Sequence, residues 1–139
     1  MKRDPRNFKY KRTFLLKNKV IHIEPSMSSV QFLTYGLVVQ KDVFLYYEQL
    51  FTIFRLLKKY LKKKTYFKIN YSCILPFTKK PVSARMGKGK GAWKGFNVFL
   101  RKGSVLCEVG NLEEKWLLFL LKACSLRLPV KTKIIQLKI

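Results

Sequence analysis

The segment from Lys79 to Gly91 has the clearest chemistry in this sequence. Glycine and lysine alternate at its end, from Gly87 to Gly91. Glycine lets backbone N–H groups approach a phosphodiester closely, and each lysine adds a mobile positive charge. Arg85 adds a planar guanidinium that can donate two hydrogen bonds to one phosphate. The segment matches neither GxxxxGK[ST] nor GxGxxG, so it does not indicate nucleotide binding. It predicts either contacts to a nucleic-acid backbone or a solvated linker.

The residue types that perform acid–base or metal chemistry are scarce. The chain has one histidine, His22, and seven scattered acidic residues, too few to suggest a catalytic arrangement. Cys73, Cys107 and Cys124 are isolated, with no CxxC pair and no histidine at ligand spacing. We expect them to be small buried residues in a reducing compartment. We therefore predict no catalytic residue, no metal site, no cofactor and no enzymatic activity.

Hydrophobic periodicity predicts the elements that must position the basic segment. Apolar residues from Val43 to Leu61 recur at alternating spacings of four and three, which predicts a helix from Val43 to about Lys63. A second helix is expected from Leu112 to Leu128, with Asn111 as its N-cap and Glu114 in the capping-box position. The expected strands are Val30–Val39, Tyr66–Ile74, Phe96–Arg101, Ser104–Val109 and Val130–Leu137.

The order of these elements predicts a single α+β domain, β-α-β-loop-β-β-α-β, with two helices packed on a mostly antiparallel sheet. Residues 1–29, rich in basic and aromatic side chains, are expected to form an extended basic N-terminal arm. Residues 30–139 form the expected α+β domain. Within it, residues 76–95 hold two prolines, four glycines, six cations and no acid, which predicts a long basic loop. After the loop, a tight hairpin at Lys102-Gly103 is expected to join and pair the strands Phe96–Arg101 and Ser104–Val109.

The charge balance points to a polyanionic partner. Thirty Lys and Arg face seven Asp and Glu, and the formal net charge is +23. Fifteen of these basic residues, and no acid, lie between Gln49 and Cys107. No apolar run is long enough to span a bilayer, so membrane insertion is not predicted. A peripheral membrane protein that uses the helix from Val43 to Lys64 remains the alternative, and a nucleic-acid-modifying enzyme is a weaker one.

At this point the sequence resembles a known family. The block from Lys80 to Gly91, Lys-Pro-Val-Ser-Ala-Arg-Met-Gly-Lys-Gly-Lys-Gly, resembles the signature of bacterial-type large-subunit ribosomal protein sixteen. Leu128–Lys133, Gly103–Glu108 and Phe32–Leu37 resemble further blocks of that family, in the family's order. The resemblance covers about residues 30–139, and the glycine–lysine block is its most specific part.

The resemblance implies a structural protein of the large ribosomal subunit that is not a homo-oligomer. Its expected partners are large-subunit rRNA, the acceptor arm of aminoacyl-tRNA and neighbouring ribosomal proteins, with the basic loop near the peptidyl-transferase centre. The residues expected to contact rRNA or tRNA are Lys79, Lys80, Arg85, Met86, Lys88, Lys90 and Lys94 in the loop, and Lys11, Arg12, Lys131 and Lys133 elsewhere.

Two departures from the family pattern carry further expectations. Phe, Tyr, Leu and Lys stand where relatives have Gly and Ala, and the AT-rich codons of these residues suggest a mitochondrial ribosomal protein of the matrix, encoded in the organelle. The second helix, Leu112–Leu128, is apolar around most of its circumference. Such a helix must be covered on both sides. Either a protein neighbour lies on its outer face, or the local core is enlarged.

Overall fold

The computed structural model describes residues 29–30, 32–61, 65–87, 89–110 and 113–136. Seven strands and two helices form this described part. In chain order they are β1 (Tyr35–Val39), β2 (Val43–Tyr46), α1 (Tyr47–Tyr60), β3 (Tyr66–Ile69), β4 (Leu75–Lys79), β5 (Ala92–Leu100), β6 (Val105–Gly110), α2 (Glu114–Ser125) and β7 (Thr132–Gln136). The predicted arm, residues 1–29, lies almost wholly outside the described residues.

The strands form two antiparallel sheets. One has the order β3-β6-β1-β7, and the other has the order β2-β5-β4. This confirms the predicted α+β class with two helices, although the predicted sheet is divided in two. Both helices pack against this framework, and α1 and α2 also contact each other.

The turn at Lys102-Gly103 explains the division. We expected it to join two paired strands, but β5 pairs with β2 and β4, and β6 pairs with β1 and β3. The Gly103 N–H donates to the Val39 carbonyl at 2.8 Å, and the Val39 N–H donates to the Ser104 carbonyl at 3.0 Å. The Asp42 carboxylate accepts a hydrogen bond from the Lys102 N–H at 2.7 Å. The turn is thereby held against the end of β1, which directs β6 into the other sheet.

The helix predicted from Val43 begins instead at Tyr47, after the short strand β2. Val43 faces Leu100 across the β2–β5 pairing, and an apolar run of four residues suits a strand as well as a helical turn. The Gln49 side chain accepts a hydrogen bond from the Tyr46 N–H at 2.9 Å, which satisfies a backbone donor at the start of α1. The residues that α1 buries are Tyr47, Leu50, Ile53, Leu56 and Leu57.

The predicted loop 76–95 is shorter than expected, because β4 and the start of β5 lie within it. Pro76 is buried and lies in β4, an edge strand of its sheet, where a residue without an N–H is tolerated. The irregular segment therefore spans residues 80–91. The strand predicted to run to Ile74 ends at Ile69, and the side-chain amide of the next residue, Asn70, donates to the Val105 carbonyl at 3.2 Å.

The second helix is also shorter than predicted. Its N-cap residue is Glu113, which makes no side-chain capping hydrogen bond, and Asn111 lies outside the described residues. Glu114 is the first residue of the helix and not the third, so it does not stand in the capping-box position. Its carboxylate accepts a hydrogen bond from the Tyr35 hydroxyl at 2.6 Å. That hydrogen bond raises the pKa of Tyr35, since it stabilises the neutral phenol.

The core lies between the helices and the sheets, and the three cysteines are part of it. All three are free thiols and are buried, as predicted. Burial raises the pKa of Cys73 to about 12 and that of Cys124 to about 11, and it raises the pKa of Cys107 as well. Within the ranges that the structure describes, no helix is long and apolar enough to cross a bilayer.

Candidate nucleic-acid interface

The glycine–lysine loop, residues 80–91, projects from the ends of β4 and β5. These strands pair antiparallel, and the pairing of Lys79 with Ala92 is the last before the loop. The register shifts between Phe77 and Thr78, which face Gly95 and Trp93. Lys94 therefore lies at a bulge, and its side chain is exposed. The paired strands β4 and β5 give the loop a fixed base and place Lys79 and Lys94 beside it.

Three positions of the loop require glycine, and the structural reason is not the same for all three. Gly87 and Gly89 have φ angles of 94° and 77°, a region that side chains with a Cβ rarely adopt. A Cβ on Gly91 would lie 2.7 Å from the carbonyl carbon of Lys79, so this position must stay bare for the loop to close on β4. The alternation of glycine with lysine thus shapes the backbone as well as exposing it.

Two internal hydrogen bonds give the loop a defined shape. The Ala84 N–H donates to the Pro81 carbonyl at 3.1 Å, and the Lys80 ammonium donates to the Gly87 carbonyl. The loop curls around an open concavity of about 560 Å³. The loop is therefore more ordered than a solvated linker, and the Lys80 side chain connects its two sides.

The tip of the loop is almost completely solvent-exposed. Val82 and Met86 are 100% exposed, and Arg85 and Lys90 are exposed as well. Lys80 is half-buried. The predicted loop set is thus brought together on one projection, except that Lys88 lies outside the described residues. With no acid between Gln49 and Cys107, the cations of this projection have no acidic neighbour in the sequence.

The remaining predicted contacts lie elsewhere. Lys133 is exposed on β7, an edge strand of the four-stranded sheet, and Lys131 is exposed just before that strand. The loop belongs to the other sheet, so these lysines share no element with it. Lys11 and Arg12 lie outside the described residues.

Glu108 is a structural residue whose role the sequence reasoning missed. It is 1% exposed, and one carboxylate oxygen accepts hydrogen bonds from the Phe32 N–H at 2.9 Å and the Leu33 N–H at 3.2 Å. The other oxygen accepts one from the Asn70 amide at 2.9 Å. Glu108 thereby anchors the segment that follows residues 1–29. A lone acid within the apolar strand Val105–Gly110 was the available signal.

The outer face of α2 is apolar and exposed. Trp116 is 53% exposed and Phe119 59%, and their rings meet edge to face with centroids 5.8 Å apart. Leu118 and Leu126 extend this apolar surface, while Leu117, Leu120 and Leu121 on the other side of the helix are buried. The core is therefore not enlarged to cover the outer face.

The apolar face of α1, by contrast, is fully used. Leu50, Ile53 and Leu57 have no exposed surface, so they are not available to insert into a bilayer. The membrane-surface alternative required this face to be free. The structure therefore removes the basis of that alternative.

The fold presents an exposed cationic loop that suits a polyanionic partner, and comparisons with known proteins specify the class of the protein. A family model described as ribosomal protein L16p/L10e matches residues 5–135. The chain belongs to this family, and it is a structural protein of the large ribosomal subunit rather than an enzyme.

Three relatives illustrate the range of similarity. The large ribosomal subunit protein uL16m of Acanthamoeba castellanii, a mitochondrial form, is 34% identical over 129 residues, which are 92% of this chain and 84% of the relative. Protein uL16 of Macrococcus caseolyticus is 29% identical over 132 residues, 95% of this chain and 90% of the relative. Protein uL16 of Thermus thermophilus is 41% identical over 61 residues, 44% of this chain and 43% of the relative.

Proposed function

We propose that this chain binds large-subunit rRNA and presents its glycine–lysine loop to the acceptor arm of aminoacyl-tRNA near the peptidyl-transferase centre. The observation that carries this proposal is the exposed cationic tip of the loop on a fixed hairpin base. Cationic contacts to phosphates position a protein without reading sequence, and folded RNA is recognised by its shape. A single projecting loop with positive charge and bare backbone meets both requirements.

Within this proposal the loop residues have different roles. Lys79, Arg85, Lys90 and Lys94 are exposed and contact phosphates, together with Lys88. Lys80 holds the loop closed through the Gly87 carbonyl. Met86, fully exposed at the tip, offers an apolar surface to a nucleotide. Lys131 and Lys133, together with Lys11 and Arg12, contact rRNA away from the loop. No residue performs chemistry, because the protein only positions RNA.

We further propose that the ribosome concerned is mitochondrial and that the gene is carried by the organelle. The similarity to a uL16m over most of both chains supports a location in the mitochondrion. The prevalence of residues with AT-rich codons supports the origin of the gene.

The outer face of α2 fits a neighbouring ribosomal protein. Its apolar centre, Trp116 and Phe119, is flanked by the exposed cations Lys115 and Lys122. The complementary partner is a protein segment with apolar side chains and an acidic rim, since such a segment buries the rings and neutralises the lysines. A nucleic acid would leave most of this apolar surface without a matching partner.

Sedimentation tests the assignment to the ribosome, and a double variant tests the loop. In a sucrose gradient at about 0.5 M salt, which removes loosely bound cationic proteins, we expect the chain to be stoichiometric with the large subunit. Recovery at the top of the gradient or with membranes would refute the proposal. We expect Lys88→Ala with Lys90→Ala to impair tRNA accommodation or late subunit assembly while the fold is retained.

The matched control for the loop variant is Lys41→Ala with Lys102→Ala. Both lysines are exposed, and the pair removes the same charge at the turns near β2 and β6. We expect normal translation from ribosomes that carry the control. Normal translation from ribosomes with the loop variant would refute the role of the loop.

A further inference from the structure

A second cationic site lies away from the loop, between α1 and the residues that follow α2. Its lining residues are Thr52, Arg55, Leu56, Lys59, Tyr60 and Arg127. We call this site the helix groove, and its volume is about 460 Å³. No lining residue is acidic, so its walls carry three formal positive charges and no negative one.

The charges of the helix groove are not neutralised by neighbours along their own segments. No acid stands three or four residues before or after Arg55, Lys59 or Arg127, which are the positions where a helix brings side chains together. The C-terminal ends of α1 and α2 carry about half a negative charge each. The two helix ends together therefore offset about one of the three positive charges, and a net positive field remains to attract a ligand.

Aromatic rings hold two of these cations in place. The guanidinium carbon of Arg55 lies 5.9 Å from the centroid of the Phe51 ring, and the Lys59 ammonium lies 5.6 Å from that of Tyr60. Such contacts restrict long side chains, so less conformational entropy is lost when a ligand binds. Tyr60 is 49% exposed, which leaves ring surface available beside the cations.

We propose that the helix groove binds phosphate groups of an rRNA backbone, as a contact separate from the glycine–lysine loop. Arg55 and Arg127 donate paired hydrogen bonds to phosphate oxygens, and Lys59 adds a point charge. The exposed part of the Tyr60 ring stacks on an adjacent base. This inference rests on the proposed function, because it requires the chain to lie on large-subunit rRNA.

Acetylation of lysines in intact large subunits tests the proposal with the unmodified chain. Lys58 is the control for Lys59, since both are exposed on α1 and only Lys59 lines the helix groove. We expect Lys59 to react more slowly than Lys58 in the subunit, and to regain its reactivity after ribonuclease digestion. Equal reactivity before digestion would overturn the proposal. Protection that survives ribonuclease would also overturn it, because a protein would then cover the groove.

Charge-neutral variants give an independent measurement. Binding of the full chain to a transcript of large-subunit rRNA is measured against salt for Arg55→Gln/Lys59→Gln/Arg127→Gln. We expect the slope of log K against log salt to become shallower by about 2–3, since each phosphate contact contributes about 0.9. The control, Lys58→Gln/Lys115→Gln/Lys122→Gln, removes the same charge from exposed positions of the two helices. Equal changes in both variants would overturn the proposal.

The two proposals fail in different ways. Absence of the chain from the large subunit at high salt would contradict the proposed function itself. Subunits that retain the chain but leave Lys59 as reactive as Lys58 would contradict only the assignment of the helix groove.

Discussion

Glu108 shows how one buried carboxylate positions a whole segment. It accepts two backbone hydrogen bonds, from Phe32 and Leu33, that neither sheet would satisfy. We expect Glu108→Gln to weaken both and to destabilise the fold by about 1.5–3 kcal/mol, the usual contribution of hydrogen bonds to a charged group. Urea unfolding and hydrogen exchange at the Phe32 and Leu33 amides measure the effect.

The control for this variant is Glu113→Gln. Glu113 is exposed at the start of α2 and makes no side-chain capping hydrogen bond, so its loss should leave the free energy of unfolding nearly unchanged. Unchanged exchange at Phe32 and Leu33 in Glu108→Gln would show that the carboxylate does not anchor this segment.

The buried thiols predict a dependence of stability on alkaline pH. Their ordinary pKa is 9.0, and burial raises the pKa of Cys73 to about 12 and that of Cys124 to about 11. Thiolates therefore form first in the unfolded chain. The contribution of the thiols to stability is complete below pH 9 and is lost as pH rises toward 11 and 12.

Urea-unfolding midpoints between pH 8 and pH 11 test this contribution. Lysines and tyrosines titrate in the same range, so the comparison is with Cys73→Ala/Cys124→Ala. We expect the free energy of unfolding of this variant to fall less steeply than that of the unsubstituted chain above pH 9. Parallel curves would exclude the thiols as the cause.

At the scale of elements, the outer face of α2 is the feature that most requires a partner. We expect Phe119→Glu to remove cross-links between α2 and the proposed protein neighbour and to lower incorporation into the large subunit, because it places a charge in the proposed apolar contact. Phe119 is 59% exposed, so the isolated fold should tolerate the change. Cross-linking with mass spectrometry on purified subunits measures the loss.

Lys102→Glu is the control. Lys102 is exposed on the turn between β5 and β6, so the charge change falls outside the outer face of α2, and we expect cross-links and incorporation to be retained. Unaltered cross-links and incorporation in Phe119→Glu would contradict the proposed neighbour.

Local patterns predicted some elements of this fold and could not predict others. The prediction that Leu50 and Leu57 lie on the buried face of α1 was confirmed, because burial of one helix face leaves a clear period in the sequence. Strand β4 was missed because Pro76 argues against regular structure unless the strand is known to lie at an edge. The division into two sheets depends on contacts such as that between Gly103 and Val39, which no local pattern contains.

The candidate site shows the same distinction. The glycine–lysine loop was found from its composition, since its function depends on residues that are adjacent in sequence. The helix groove was not found, because Arg127 reaches Arg55 and Lys59 only through the packing of α2 against α1.

At the scale of the whole molecule, the net charge of +23 opposes folding of the isolated chain. Like charges on a compact surface repel one another more than they do in the expanded unfolded chain. Salt screens this repulsion, since the Debye length falls from about 10 Å at 0.1 M to about 3 Å at 1 M. RNA binding responds in the opposite direction, because salt competes with the phosphate contacts.

The Tm of the free chain should therefore rise with sodium chloride, while its affinity for rRNA falls. Circular dichroism at about 0.1 M and 1 M salt measures the Tm, and filter binding over the same range measures the affinity. A neutral osmolyte such as sucrose is the control, because it stabilises compact states without screening charge. If the Tm is unchanged by salt, charge repulsion does not limit the stability of the chain. If it rises as expected, rRNA stabilises the fold by taking over the neutralisation that salt provides to the free chain, so that folding and incorporation into the ribosome are thermodynamically coupled.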